Sequence, residues 1–246
     1  MPKNKEKKKR LDQLLVVRGL ARDIDMAKAL ILSGEVVVEN STIKDPLFRV
    51  AEDSDIRVVG RRYVSRGGEK LEGALIDFDL DVKGFVCADI GISTGGFTDC
   101  LLKHGAEKVY GFDVGYGIID YSLRKDSRVI LFERCNFRNF DTSQIGEKVD
   151  LVVIDVSFIS LKKVIPPAID LLKNGGYLLS LVKPQFEAPR GSVSGGVLKD
   201  EEVIRGVIEE LEIFLKGLGL VFRGIRPSRI KGTKGNQEFF ILSIVG

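Results

Sequence analysis

Apolar residues along this chain recur in two different rhythms. In the first stretch the elements are short. Leu11, Leu14 and Leu15 form a brief helical stripe that ends near Gly19. Met26, Ala27, Leu30 and Ile31 share one face of a second helix, with Asp23 or Asp25 placed to cap it and Gly34 to close it. Glu35 to Glu39 is rich in valine and reads as a strand, Asn40-Ser41 as a turn, and Ile43, Val50 and Ile56 to Val59 as further short strands. Residues 1–60 thus form a small α+β module, with residues 1–9 expected to be disordered because they are charged and almost without apolar groups. Arg61 to Val64 shows no apolar period and is expected to be a linker.

From Ser65 onward strands alternate with helices. Leu71, Ala74, Leu75 and Phe78 make one helical stripe. Val86 to Ile90 is apolar, the chain then turns through Gly91, Gly95 and Gly96, and Phe97, Cys100 and Leu101 resume at helical spacing. Lys108 to Phe112, Val129 to Phe132, Val149 to Ile154 and Tyr177 to Val182 read as strands; Val149 to Ile154 is broken only by Asp150, as a strand buried on both faces would be. Val164, Ile165, Ala168, Ile169 and Leu172 predict a helix closed by Asn174-Gly175-Gly176, and Val203 to Leu218 a long one. Leu220 to Ile225 and Glu238 to Ile244 predict a closing antiparallel hairpin. The fold class expected is α/β, with a doubly wound Rossmann-like sheet over 65–246 following the small domain.

Composition changes this picture little. No apolar run approaches the roughly 18–20 residues of a membrane span, and the lysine-rich start, with no apolar stretch after it, is not a secretory signal. Cys87, Cys100 and Cys135 lack metal-ligand spacing and suit a reducing cytoplasm; the single histidine, His104, argues against a His-based metal site or triad. The net charge of +3 is unevenly spread: residues 1–28 hold nine Lys/Arg against four Asp/Glu, and residues 223–234 hold Arg223, Arg226, Arg229, Lys231 and Lys234 with no acid. Two such clusters favour a polyanionic partner.

The chemistry concentrates in the glycine loop. Gly91-Ile92-Ser93-Thr94-Gly95 matches the G-x-S-x-G nucleophile elbow, but that fold needs its histidine after the acid, and His104 precedes every plausible acid. A structural tight turn and an adenosine-cofactor loop remain. In the second reading Asp89, Gly91, Ser93, Thr94, Gly95, Gly96 and Phe97 surround the cofactor, and Asp113, about twenty residues past the loop, accepts from its ribose hydroxyls. Asn136 is placed to bond an adenine and Phe137 to stack on it. Asp155 and Lys183 each end a buried strand and project at the same sheet edge.

Two resemblances add to this. Arg10 to Leu15, then Arg22, Ala27, Ile31, Gly34, Val36, Val38 and Asn40, resemble the S4-like RNA-binding domain; the resemblance implies that Arg10, Arg18, Arg22, Lys28, Lys44, Arg61 and Arg66 meet RNA phosphates. Ser65-Arg66-Gly67-Gly68-Glu69-Lys70-Leu71, Asp89 to Asp99, Asp155 to Ser160 and Lys183-Pro184-Gln185-Phe186-Glu187 make the whole chain resemble the TlyA family, ribosomal RNA 2′-O-methyltransferases often labelled hemolysins. Its second domain is similar to the FtsJ/RrmJ methyltransferases. The resemblance implies a seven-stranded class I sheet, S-adenosylmethionine as cofactor, ribosomal RNA or ribosomal subunits as partner, no metal, and a catalytic Lys-Asp-Lys-Glu set at Lys70, Asp155, Lys183 and Glu238. Tyr63 stands where a tryptophan is usual. Lys183 is open to two roles, general base or stabiliser of oxyanion charge. Two other function classes stay open: an RNA-binding assembly factor with an inactive methyltransferase domain, and a membrane-active hemolysin.

Overall fold

The computed structural model describes residues 8–189 and 191–246. It divides between Arg62 and Tyr63 into two units.

In the first unit, β1 (Lys8–Arg10) leads directly into α1 (Leu11–Val17), followed by α2 (Ile24–Leu32), β2 (Val36–Val38), β3 (Ser41–Ile43), β4 (Arg49–Ala51) and β5 (Ile56–Val58). Asp23 caps α2 by accepting the Met26 N–H at 2.8 Å, and Gly34, at φ +79°, turns the chain out of it. β3, β2 and β5 form an antiparallel sheet. Leu11, Leu14, Leu15, Ala27, Ile31, Val36, Val38, Val50 and Ile56 close its core. One expectation is corrected here. Disorder was expected through residue 9, but Lys8–Arg10 pairs antiparallel with β4, Lys9 facing Val50; a strand partner supplies the backbone bonds that a charged segment does not find alone. Residues 1–7 lie outside the described residues.

The second unit holds α3 (Arg66–Asp77), β6 (Val86–Ile90), α4 (Gly96–Lys103), β7 (Lys108–Phe112), α5 (Tyr121–Arg124), β8 (Val129–Phe132), β9 (Val149–Ile154), α6 (Ile165–Ile169), β10 (Leu172–Val182), α7 (Pro184–Glu187), α8 (Glu201–Gly217), β11 (Leu220–Pro227) and β12 (Phe239–Val245). Seven strands form one sheet in the order β11-β12-β10-β9-β6-β7-β8. β12 alone runs against the direction of the others. β9 shows why the sheet needs helices on both faces. Val152 and Ile154 join a core with Val207, Leu211 and Leu215 of α8, while Leu151 and Val153 join one with Leu71 and Leu75 of α3 and Phe97 and Leu101 of α4. Each of the four β9 side chains is fully buried, worth about 1.5–3 kcal/mol of apolar transfer per side chain.

Two boundaries differ from expectation. Tyr63, expected in a linker, is a core residue of the second unit, and the Val64 N–H donates to Asp99 at 2.8 Å. An aromatic ring has enough apolar surface to be drawn into a core whatever its neighbours' periodicity. The Asn174-Gly175-Gly176 turn ends no helix. It lies within β10 as a register irregularity between Leu172 and Tyr177, and α6 stops at Ile169.

The sheet topology places the site. After β6 the chain builds outward through β7 and β8, then crosses back to place β9 on the other side of β6. Ligands in such sheets bind beyond the strand carboxyl ends at this reversal.

Candidate active site

The reversal is tight. The Asp155 N–H donates to Ile90 O at 3.0 Å, and a Cβ on Gly91 would lie 2.4 Å from the Asp155 carbonyl oxygen. Gly91 is therefore obligatory on two grounds, this approach and its φ of +88°. Ser93 also takes a left-handed φ of +50°, a strain held by the Asp113 carboxylate: Oδ2 accepts the Ser93 N–H at 2.8 Å, and Oδ1 the Gly115 N–H at 2.7 Å.

Asp89 stands near the end of β6, wholly buried. Its Oδ2 accepts both the Thr98 N–H, at 3.0 Å, and the Thr98 hydroxyl, at 2.7 Å. Oδ1 has no partner among the described residues. Burial pushes its pKa up to about 7, with the charges of Asp155 and Asp113 adding to the rise and the Thr98 hydrogen bonds opposing it.

Two cavities open along this edge and share Gly91, Ser93 and Asp155. The first, about 170 Å³, is walled by Ser65, Arg66 and Lys70 of the α3 start, by Asp89, Thr94, Gly96 and Phe97, and by Lys231, Gly232 and Thr233. The second, about 310 Å³, runs past Asp113, Val114, Ile118, Asn136 and Phe137. Together they form a trench with a charged end and a more apolar end. The Gly95 backbone, at φ +94°, begins α4 without a side-chain cap and lies under Leu123.

The Lys70, Asp155, Lys183 and Glu238 side chains come from four places in the chain and close as two ion pairs. Lys70 Nζ donates to Glu238 Oε2 at 2.6 Å. Lys183 Nζ stands 2.6 Å from Asp155 Oδ1 and donates its hydrogen bond to Ser157 Oγ at 2.8 Å. Each has a local cause. Lys183 follows β10 and precedes Pro184, which starts α7; Glu238 stands immediately before β12. Lys70 and Asp155 face the trench. Lys183 and Glu238 face a third cavity of about 270 Å³, shared with Ser157, Phe158, Phe186, Thr233 and Asn236. The two pairs thus separate a trench from a pocket.

Phe137 lines the second cavity with little of its ring exposed. It is 5% exposed, packs edge-on to Phe112 at 4.9 Å and lies parallel to Phe140. The exposed apolar groups at that end of the trench are Val114 and Ile118, which sequence reasoning missed because they fall in a glycine-rich loop without periodicity. The Asn136 amide oxygen accepts from Arg138 at a long 3.4 Å. Ser157 was marked only as part of the Asp155 to Ser160 motif and Asn236 not at all; short polar residues in loops carry no spacing signal.

The expected RNA contacts separate into two groups. Arg10 forks onto buried Asp12, at 2.6 and 3.1 Å, and holds its carboxyl below the usual range. Arg18 donates to the Ser54 and Glu52 carbonyls, and Arg61 pairs with Glu35 at 2.9 Å. These three are tied into their own unit. Arg22, its side chain 85% exposed, pairs with its neighbour Asp23, Lys44 is exposed and Lys28 half-buried. Arg66, in the second unit, lines the trench and donates to Lys231 O at 3.1 Å.

Residues 63–243 match the FtsJ-like methyltransferases. The chain belongs to that family. The methyltransferase match begins at Tyr63, where the second unit begins. Similarity also extends over both units. The chain is 41% identical to the 16S/23S rRNA (cytidine-2′-O)-methyltransferase TlyA of Mycobacterium tuberculosis, over 94% of this chain and 88% of that protein. It is 40% identical to hemolysin A of Brachyspira hyodysenteriae, over 96% of this chain and 100% of the relative. A solved structure from Streptococcus thermophilus, named for hemolysin, superposes with a TM-score of 0.76 at 36% identity, over 98% of this chain and 89% of the other. The N-methyltransferase NodS of Bradyrhizobium japonicum, at 15% identity and a TM-score of 0.53 over 73% of this methyltransferase and 88% of its own chain, shares the fold. No described helix is long and apolar enough to cross a membrane.

Proposed function

We propose that this chain methylates a ribose 2′-hydroxyl of ribosomal RNA, with S-adenosylmethionine as methyl donor. The observation that carries the reading is the line of two lysine–carboxylate pairs between the trench and the pocket.

The residues present fit the donor. The unpartnered Asp89 Oδ1 suits the ammonium of its amino-acid end, and Arg66 and Lys231 suit the carboxylate. Each Asp113 oxygen keeps a lone pair for the ribose hydroxyls, and Val114 and Ile118 offer an apolar edge to the adenine. When bound, the cofactor supplies a methyl group activated by a sulfonium.

The chain's own residues do the rest by position and charge. An acceptor hydroxyl in the pocket meets the Lys183 ammonium as its oxygen becomes negative, which favours loss of its proton to solvent, while Lys70 adds positive charge from the trench side. Asp155 and Glu238 hold the two lysines in place. Alignment of acceptor and donor can contribute up to ~7–11 kcal/mol in well-oriented models.

The S4-like reading of the first unit makes it the RNA-holding part, with Arg22, Lys28 and Lys44 offered to phosphates. The relatives named as rRNA (cytidine-2′-O)-methyltransferases support both substrate and reaction. Mass spectrometry of ribosomal RNA from cells with and without the gene tests the reading: one ribose methylation should vanish with the gene and return with the wild type. Lys183→Ala should fail to restore it while calorimetry still records cofactor binding. An unchanged methylation map would overturn the proposal.

A further inference from the structure

Asn236 is 4% exposed and takes no part in either ion pair. Its carboxamide is nevertheless fully engaged, and its bonds reach two separate loops. Oδ1 accepts the Leu198 N–H at 3.1 Å, while Nδ2 donates to the Gly196 carbonyl at 2.9 Å and the Thr233 carbonyl at 3.0 Å. Lys234 Nζ adds a bond from the same loop to the Gly195 carbonyl at 2.7 Å. Both loops wall the pocket beside Lys183: Val193 and Gly196 from one, Thr233, Lys234 and Glu238 from the other. Glu238 follows Asn236 by two residues and is the partner of Lys70.

A carboxamide is the one side-chain group of this size that offers an acceptor and two donors in a single plane. Alanine would leave the buried Leu198 N–H without its acceptor and release the Gly196 carbonyl, while the Thr233 carbonyl keeps the Asn236 backbone N–H. Aspartate would turn lone pairs toward two carbonyl oxygens.

We propose that Asn236 is the positioning residue of the acceptor pocket: it ties the 193–198 loop to the 232–238 loop, setting the width of the pocket in which a single ribonucleoside of the RNA is held. The inference rests on the functional reading above, and its test separates the two.

The test compares wild type with Asn236→Ala and Asn236→Asp. For Asn236→Ala, KM for ribosomal RNA should rise ~10-fold or more with a smaller change in kcat, because a lost buried hydrogen bond weakens acceptor holding. Cofactor Kd by calorimetry should stay within about twofold. Trypsin should cleave faster after Lys199, beside the released loop. Lys234→Met should move the same quantities in the same direction by less. If the alanine variant does not fold, the isosteric Asn236→Asp still reports. Its defect should ease as pH falls, since a protonated carboxyl again donates to a carbonyl. Unchanged RNA KM and unchanged tryptic cleavage would overturn the proposal, as would a loss falling on cofactor affinity. A wild type that methylates no RNA overturns the functional reading and the acceptor role with it, while tryptic cleavage of the variants still measures the tie between the loops.

Discussion

Lys70 and Glu238 lie 168 residues apart and meet at 2.6 Å, with side chains only 12% and 3% exposed. The pair joins α3, at the start of the second unit, to the strand that closes it. Breaking a buried pair by removing one partner costs about 3–5 kcal/mol, whereas replacing both by apolar groups can be neutral. Lys70→Met and Glu238→Leu should each lower the melting temperature clearly, and the double variant should recover most of the loss. Methyl transfer should not recover. A double variant that regains activity along with stability would reduce the pair to a structural strut.

Gly232 tests the same carboxylate without touching its charge. A Cβ there would fall 1.9 Å from Glu238 Oε1 and 2.4 Å from its Cδ. Glu238 is held by Lys70, so its tip cannot swing aside freely. Gly232→Ala should therefore lower kcat by about 10-fold or more, as small misplacements at a reacting centre do. Tritium transfer from labelled S-adenosylmethionine measures this directly. A normal kcat would show that the Glu238 position tolerates displacement.

How far the sequence disclosed this site follows from what kind of signal each residue leaves. Strands β6, β7, β8 and β9 were legible because their apolar runs are nearly unbroken, and the acid or lysine that closes such a run stands out. Asp113 and Asp155 were singled out that way, as was Lys183 after β10, whereas Asp89 was read from the glycine loop. Lys70 and Glu238 were not separable from surface charges by periodicity; resemblance alone singled them out. Phe137 could be placed at the cavity but not its packing, because an aromatic in a loop looks the same whether its face is open or packed on Phe112. Tyr63 sits in a segment without period, and its burial depends on a core assembled much later in the chain. Asn236 left no trace, since its partners Gly196 and Leu198 lie about forty residues away.

Asp89 links stability to pH in an unusual direction. Its pKa is about 7 in the folded chain against 3.8 ordinarily. Between those values the folded state keeps a proton that the unfolded state releases, so the contribution to stability falls as pH rises through that window and levels off above it. An asparagine in its place would carry no such penalty. Asp89→Asn should therefore match the wild type in melting temperature near pH 4 and exceed it by pH 8. On the proposed function the same substitution removes the negative charge that meets the donor's ammonium, so cofactor affinity should fall by about 10-fold or more. Thermal melts across pH, paired with calorimetry, check both halves. A variant less stable than the wild type at pH 8 would mean that Asp89 is stabilising as a carboxylate.

The first unit separates charges that hold it together from charges left for RNA. Each Lys or Arg that neutralises a phosphate contributes about 0.7–0.9 to the slope of log affinity against log salt. Arg22→Ala, Lys28→Ala and Lys44→Ala should each reduce that slope by such an amount. Arg22→Ala and Lys44→Ala should leave the melting temperature nearly unchanged, since Arg22 pairs at the surface and Lys44 is exposed, whereas Lys28→Ala should also cost a little stability because its charge helps hold the Asp12 carboxyl below its ordinary value. Arg10→Ala should behave in the opposite way. It strands the wholly buried Asp12 carboxylate, whose pKa is held below its ordinary value first by the Arg10 hydrogen bond. The stability contributed by Asp12 is present above its unfolded pKa and lost as pH falls through the lower folded one. Arg10→Ala should thus destabilise the unit at neutral pH, with the deficit shrinking in acid. Salt titrations of RNA binding and thermal melts on the same four variants distinguish the groups. An Arg10→Ala variant that keeps its stability but loses a unit of salt slope would move Arg10 back to the RNA face.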